Sequence, residues 1–236
     1  MRTTLLNTFI MTGIAVVFIM IFSPTIGGCM DESKSENVIA LLPARIDSET
    51  SIESTMMKRR SIRRYTDEPL TLYDVSQLLW AAQGITNSRG FRTSPSAGAL
   101  YPLEIYVIAG NVINFPAGIY KYKPIRHHLV KVAEGDKRAA LSRASLNQSS
   151  IKNAPIVLVF CAVYWRTTAK YGQRGKRYVF MEIGHSAQNV CLQVVSLGLG
   201  TVTIGAFHDD KVKKIVNSQT EEEPLYIMPI GKLINR

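Results

Sequence analysis

Hydrophobic positions fall into blocks whose spacing changes along the chain. Leu5 to Phe22 is an almost unbroken apolar run, and Met30 to Thr50 is polar and acidic around a short apolar patch, Val38 to Leu42. From Ser51 the spacing turns helical, with Ile52, Met56 and Met57 sharing a face. A second helix is opened by Thr71 with Asp74 three residues on, close to a capping box, carries Val75, Leu78, Leu79 and Ala82 at helical spacing, and stops at Gly84. Leu103 to Ala109 reads as a strand. Two alternating runs at Gly118 and His128 read as a hairpin, with His127 and His128 as solvated turn residues. A helix is expected over Asp136 to Leu146 and a connector over Ser149 to Asn153. Ile156 to Val163 is apolar throughout and of strand length, so it belongs at the centre of a sheet. Tyr164 to Tyr178 reads as a basic, aromatic loop, and Tyr178 to Leu197 as a long helix apolar around much of its circumference, hence central. Strand Thr201 to Phe207, helix Asp209 to Val216 and strand Leu225 to Ile230 complete the chain. The class is α+β, a mixed and mainly antiparallel sheet with helices on both faces.

Composition narrows the partners. The chain has 236 residues, 46% hydrophobic and 19% charged, which suits one good-sized domain. Its net charge of +10 fits an anionic lipid or a phosphorylated ligand. Nucleic acid ranks last, because the basic residues come in short groups without a recognisable nucleic-acid motif.

Arg2 precedes the apolar run, while Asp31, Glu32 and Glu36 follow it, the charge bias of an exported segment. Ile26-Gly27-Gly28-Cys29 resembles a lipoprotein cleavage box with Cys29 as the lipidated residue; an uncleaved helical anchor is the alternative. The division expected is therefore a signal or anchor over 1–29, a flexible tether over 30–50 and one folded domain over 51–236. That places the domain at a membrane on its extracytoplasmic face. Cys161 and Cys191 lie in apolar patterns and read as core thiols.

Two stretches carry the candidate chemistry. Ser94, Ser96, Ala97, Gly98 and Ala99 are small, so this backbone can approach something flat, although a plain Ser-Pro turn gives the same composition. Lys58 to Arg64 gathers cations around Ser61 at a predicted helix end. That is either a solvated C-terminal turn or a phosphate clamp, since guanidinium groups match phosphate oxygens two at a time.

Read together, Arg59-Arg60-Ser61-Ile62-Arg63, Thr93 to Glu104 and Gly198 to Phe207 resemble the nitroreductase-like flavoproteins over Ser51 to Lys232. More narrowly they resemble the SagB/ThcOx-type branch, dehydrogenases that oxidise azoline rings in peptides. The resemblance implies a three-layer α/β/α sandwich, a homodimer with flavin sites shared between chains, and bound FMN. It places Arg59, Ser61 and Arg63 on the phosphate, with Arg60 beside them. It sets Pro95, Ser96, Ala97 and Gly98 with Thr203, Gly205 and Ala206 against the flavin ring, and puts Gln188 and Asn189 near the flavin or inside the dimer. Lys170-Tyr171 matches a pair proposed in that branch to take a proton as the flavin takes hydride. The classical C-terminal phosphate-binding extension is missing from the match, and Lys232 or Arg236 would substitute.

The activity implied is ping-pong hydride transfer, with NAD(P)H as donor and a nitro or quinone-like acceptor. Oxidation of a peptide azoline is the alternative, and a flavin-binding lipoprotein without turnover is a reading from another class. Gly198-Leu-Gly200 is not a dinucleotide fingerprint, because it follows a helix and precedes a strand. Glu182 and His185 form a single Glu-x-x-His, half of what a di-metal site would need.

Overall fold

The computed structural model describes residues 38–234. The expected leader over 1–29 with Cys29, the first part of the tether, and Arg236 lie outside them. Among the described residues no helix is long and apolar enough to cross a membrane.

The sheet is built around its most apolar segment. Strand β5 (Ile156–Val163) is buried at all eight positions. Its even residues Ile156, Leu158 and Phe160 enter one hydrophobic cluster, and Val157, Val159 and Cys161 enter another. A strand covered on both faces has no solvent side, and that is why it reads as a continuous run rather than an alternation. It pairs antiparallel with β2 (Leu103–Ala109) and with β7 (Glu222–Lys232). Outward from β2 come β3 (Gly118–Lys123), β4 (His128–Glu134) and β1 (Val38–Ala40), and β6 (Leu199–Thr201) closes the other edge. Every pairing between named strands is antiparallel. Parallel register occurs in the isolated bridges Ser61 to Thr201 and Leu70 to Val112.

Two helical layers cover the sheet. Helices α2 (Leu72–Gln83) and α6 (Arg174–Ser196) supply the first cluster with Val75, Leu78, Val179, Ile183, Val190 and others. Helices α3 (Arg138–Ala144), α4 (Ser149–Asn153) and α7 (Asp209–Val216) supply the second. The capping box at Thr71 is present in full: the hydroxyl accepts from Asp74 N at 3.1 Å, and the Asp74 carboxylate accepts from Thr71 N at 2.8 Å. The α/β/α sandwich is the expected one.

Several local expectations are corrected. The tether of 30–50 ends by Val38, since Val38 to Ala40 pair with β4 and Leu41 is buried. Gln77 on α2 then holds the backbone of Arg45 from both sides, at 2.9 and 3.0 Å. His127 is not a solvated turn residue. Its Nδ1 meets the Tyr122 hydroxyl at 2.8 Å, and its Nε2 meets the Ser76 hydroxyl at 2.7 Å and the Leu42 carbonyl at 3.0 Å, so it fastens this N-terminal strap to the sheet. Tyr164 to Tyr178 is not a loop but a helix, α5 (Trp165–Tyr171), a break at Gly172 with φ 57°, and the first turn of α6. The connector at Ser149 is a short helix. The strand expected from Thr201 ends at that residue, and Ile204 rejoins the sheet through one bridge to Ile227.

Candidate active site

The local backbone around Gly98 is unusual before any ligand is considered. Gly98, Ala99 and Tyr101 all have left-handed φ, at 64°, 54° and 47°. Non-glycine residues there cost about 1–2 kcal/mol each, and such strain persists where surrounding contacts enforce it. Here Ser96 Oγ accepts from Tyr101 N at 2.9 Å and Ala99 N donates to the Ser96 carbonyl at 3.0 Å, closing a tight platform. A Cβ on Gly98 would meet the Tyr171 hydroxyl at 2.9 Å and the Lys170 ammonium at 3.1 Å. The predicted pair on α5 and the predicted small-residue stretch therefore converge. Tyr171 is oriented by an edge-on contact with Tyr178, ring centroids 5.1 Å apart. Lys170 itself is exposed, so this chain alone does not desolvate it.

What holds α5 in place is a buried charge network that sequence reading did not foresee. Arg166 Nη1 donates to the Tyr101 carbonyl at 3.1 Å, and Nη2 donates to Glu104 at 2.5 Å. Glu104 also pairs with Lys121 at 3.1 Å, and Lys121 bonds in turn to the fully buried Glu222, which accepts the Tyr106 hydroxyl at 2.5 Å. Burial pushes the Glu104 carboxyl up, yet Lys121 and Arg166 together hold it below the ordinary range. Burial and the bond to Glu222 push the Tyr106 phenol well up.

Glu182 is the second unforeseen member. It lies 3% exposed on α6, with the Ser96 hydroxyl and the Arg92 guanidinium beside it and its Oε1 unpartnered. Burial raises its pKa to about 7, and Ser96 and Arg92 restrain the rise. His185 is exposed, so the Glu-x-x-His of the sequence does not converge. Among the described residues no group of three or more potential metal ligands assembles.

The remaining predicted residues form a separate group at the β6 edge. Ser61 bridges to Thr201, and Ile62 N donates to Thr201 O at 2.8 Å. Gly200 is glycine because a Cβ would press on Ile62 and Leu233 at 2.8 Å. Thr203, Gly205 and Ala206 are exposed while Val202 and Ile204 are buried, so the outward residues of this segment form a surface. The Arg59 charge is felt at Cys191, whose thiol is raised by burial and lowered in part by that cation. Among the described residues Arg59 and Arg63 form no ion pair, whereas Lys232 is engaged with Glu68 at 2.9 Å. Arg60 turns back to the Met57 and Arg59 carbonyls at 3.0 and 2.7 Å, the bland capping role at the end of helix α1 (Ile52–Lys58). The two groups are distinct. Ser96 meets α6 at Glu182, whereas the Arg59 charge acts at Cys191, nine positions further along (182 to 191), about 13 Å of helical rise. Asn189 Nδ2 bonds to the Thr93 carbonyl between them at 3.2 Å, and Gln188 is exposed.

Comparison with known proteins decides the family: the nitroreductase family model matches residues 56–232. The chain belongs to the nitroreductase family. It is 50% identical over 186 residues to a nitroreductase homologue of Methanocaldococcus jannaschii, covering 79% of this chain and 93% of that one. It is 32% identical over 146 residues to the Escherichia coli microcin B17-processing protein McbC, 59% of this chain and 54% of McbC, so it spans about half of that relative's length. A solved nitroreductase homologue of Ralstonia eutropha superposes with a TM-score of 0.75 at 30% identity, over 86% of this chain and 92% of that one. This nitroreductase-family chain is an oxidoreductase.

Proposed function

We propose that the chain is an FMN-dependent oxidoreductase working by ping-pong hydride transfer, with NAD(P)H as electron donor and a nitro or quinone-like compound as acceptor. The observation that carries this reading is the exposed, left-handed small-residue backbone at Gly98, a flat platform on the surface of a nitroreductase-family chain. The residues present fit the cofactor. The Gly98 backbone is exposed and so within reach of a planar ring, and Arg59 and Arg63 are cations without acidic partners among the described residues. Arg59, Ser61 and Arg63 would hold the phosphate, and Thr203, Gly205, Ala206 and the Pro95 to Gly98 backbone would line the ring. When bound, FMN supplies the two-electron chemistry. The chain's own part is to seat the substrate over the platform and to give or take a proton at Lys170 Nζ or the Tyr171 hydroxyl.

The separation of the two residue groups along α6 favours a homodimer in which each site takes one group from each copy. A second copy would also cover Lys170 and provide the desolvation that the single chain lacks. The segment ending at Cys29 is proposed as an export signal or lipid anchor that keeps the domain at the extracytoplasmic face.

Azoline oxidation on a peptide is the second reading, favoured by the Lys170–Tyr171 pair itself. The deciding experiment is the visible spectrum of the purified full chain, recorded anaerobically before and after adding NADH or NADPH. A flavin spectrum that bleaches supports the reductase; a flavin that stays oxidised with either donor favours the dehydrogenase. Failure to bind FMN on reconstitution overturns both. Lys170→Ala separates them further, since loss of azoline oxidation with nitro reduction intact selects the second.

A further inference from the structure

Behind the platform, at the start of β2 and the turn between β3 and β4, lies a cavity of about 510 Å³. That is within the size range of small-molecule sites. Its wall is basic: Arg92, Lys123, Arg126 and His128 all line it. The one lining carboxylate, Glu104, is already engaged by Lys121 at 3.1 Å and Arg166 at 2.5 Å, so the cavity keeps an excess of donors.

Among the described residues, two of those side chains keep a nitrogen without a partner. Arg92 is fixed by its Nη1 on Gln83 Oε1 at 2.7 Å and by stacking on the Tyr101 ring at 4.2 Å, yet its Nε is buried and unpartnered. His128 Nδ1 is buried and unpartnered as well. Buried nitrogens are normally paired, so two unpartnered ones in the wall of one basic cavity mark it as a polar site rather than a packing defect. Apart from Gln83, which Arg92 engages, the rest of the lining is largely apolar, with Leu103, Ile105 and Val130 beside the Tyr122 ring. Inorganic anions have no use for such a floor.

We propose that this cavity binds an organic acid, a carboxylate or phosphate carried on an apolar body, and seats the acidic end of the substrate beside Tyr101. Arg92 links the two places, because the guanidinium that lines the cavity also stacks on the last residue of the platform. The substrate role rests on the function proposed above; the binding itself does not.

Calorimetric titration of the full chain with 2-naphthoate, 2-naphthyl phosphate and neutral 2-naphthamide tests the site. Both acids should bind at least about tenfold more tightly than the amide, the worth of one charge-assisted contact. Arg126→Ala and His128→Asn should each weaken the acids about tenfold and leave the amide and the unfolding temperature unchanged. A preference between the two acids names the anion class. Equal affinity for acid and amide, no binding of either acid, or acid binding untouched in both variants overturns the proposal. For the substrate role, Arg126→Ala should raise KM for 4-nitrobenzoate about tenfold with kcat unchanged and leave 4-nitrobenzamide unaffected. Unchanged KM with acid binding intact overturns that role alone, and loss of flavin with acid binding intact overturns only the reductase reading.

Discussion

Arg166 donates to Glu104 at 2.5 Å and so joins the helix that carries Lys170 and Tyr171 to the strand that leaves the Gly98 platform. The same guanidinium reaches the Tyr101 carbonyl at 3.1 Å, so one side chain ties the helix of Lys170 and Tyr171 to the platform they face. The contact is part exposed on the arginine side, at 33%, and more enclosed at Glu104, at 14%.

Replacing this arginine by methionine keeps the packing of its stem and removes both bonds. Arg166→Met is expected to cost about 2 kcal/mol, because Glu104 retains Lys121, and to lower the unfolding temperature by about 4–8 °C. The turnover number should fall about tenfold, since a small misplacement of α5 removes the alignment of Lys170 and Tyr171. Acid makes the same point. Glu104 has a folded pKa below its ordinary 4.5, so its contribution is present above that pH and lost as pH falls through the folded value. Denaturation between pH 3 and 6 should show a steeper acid limb in the wild type than in the variant.

Gly98→Ala tests the platform directly. The left-handed φ of 64° costs an alanine about 1 kcal/mol, and its methyl would stand 2.9 Å from the Tyr171 hydroxyl and 3.1 Å from the Lys170 ammonium. The flexible lysine can retreat, so folding survives with a loss of about 2–4 °C. Flavin retention through gel filtration should drop several-fold. A variant that keeps its flavin and its turnover would remove the platform from the site.

These residues were legible in the sequence because their chemistry is local. Gly98 among small neighbours, the Thr71–Asp74 cap and the eight apolar residues of β5 each declare themselves within one element. The β1 strand was not legible as one, since the apolar patch Val38 to Leu42 is short, stands alone in a polar stretch, and leaves Val38 and Ala40 exposed at a sheet edge. His127 escaped for a related reason: its partners Ser76, Leu42 and Tyr122 come from three segments. The helix α5 was hidden by its composition, because aromatic and basic residues around Gly172 suit a loop as well as a helix that ends there. Glu182 did leave a signal. The buried stripe of α6 runs Val179, Glu182, Ile183, Ser186, Ala187, Val190, and an acidic residue inside such a stripe marks a buried carboxyl.

That carboxyl gives the third prediction. A pKa raised from 4.5 to about 7 means that the folded state holds a proton which the unfolded chain has lost, so stability declines as pH rises through that window and levels off above it. The full shift corresponds to about 3 kcal/mol. Glu182→Gln cannot ionise and should abolish this decline, leaving the variant more stable than the wild type at pH 8 relative to pH 5. Urea denaturation at the two pH values measures it, and an equal pH slope in both proteins would assign the titration elsewhere.

Arg59 and Arg60 are adjacent in sequence and opposite in expected effect. Arg59 has no ion pair among the described residues and its charge acts on Cys191 of α6, whereas Arg60 is spent on the Met57 and Arg59 carbonyls. If the clamp holds phosphate, Arg59→Met removes a bidentate, charge-assisted contact and should weaken FMN binding about ten- to a hundredfold, whereas Arg60→Met should change it less than about twofold. Fluorescence titration of flavin-free protein with FMN and with riboflavin reads both at once. The Arg59 loss should vanish with riboflavin, because that ligand has no phosphate to hold. A loss that persists with riboflavin would mean that Arg59 supports the fold at α6 rather than the anion, and would return the cluster to the role of a charged helix end.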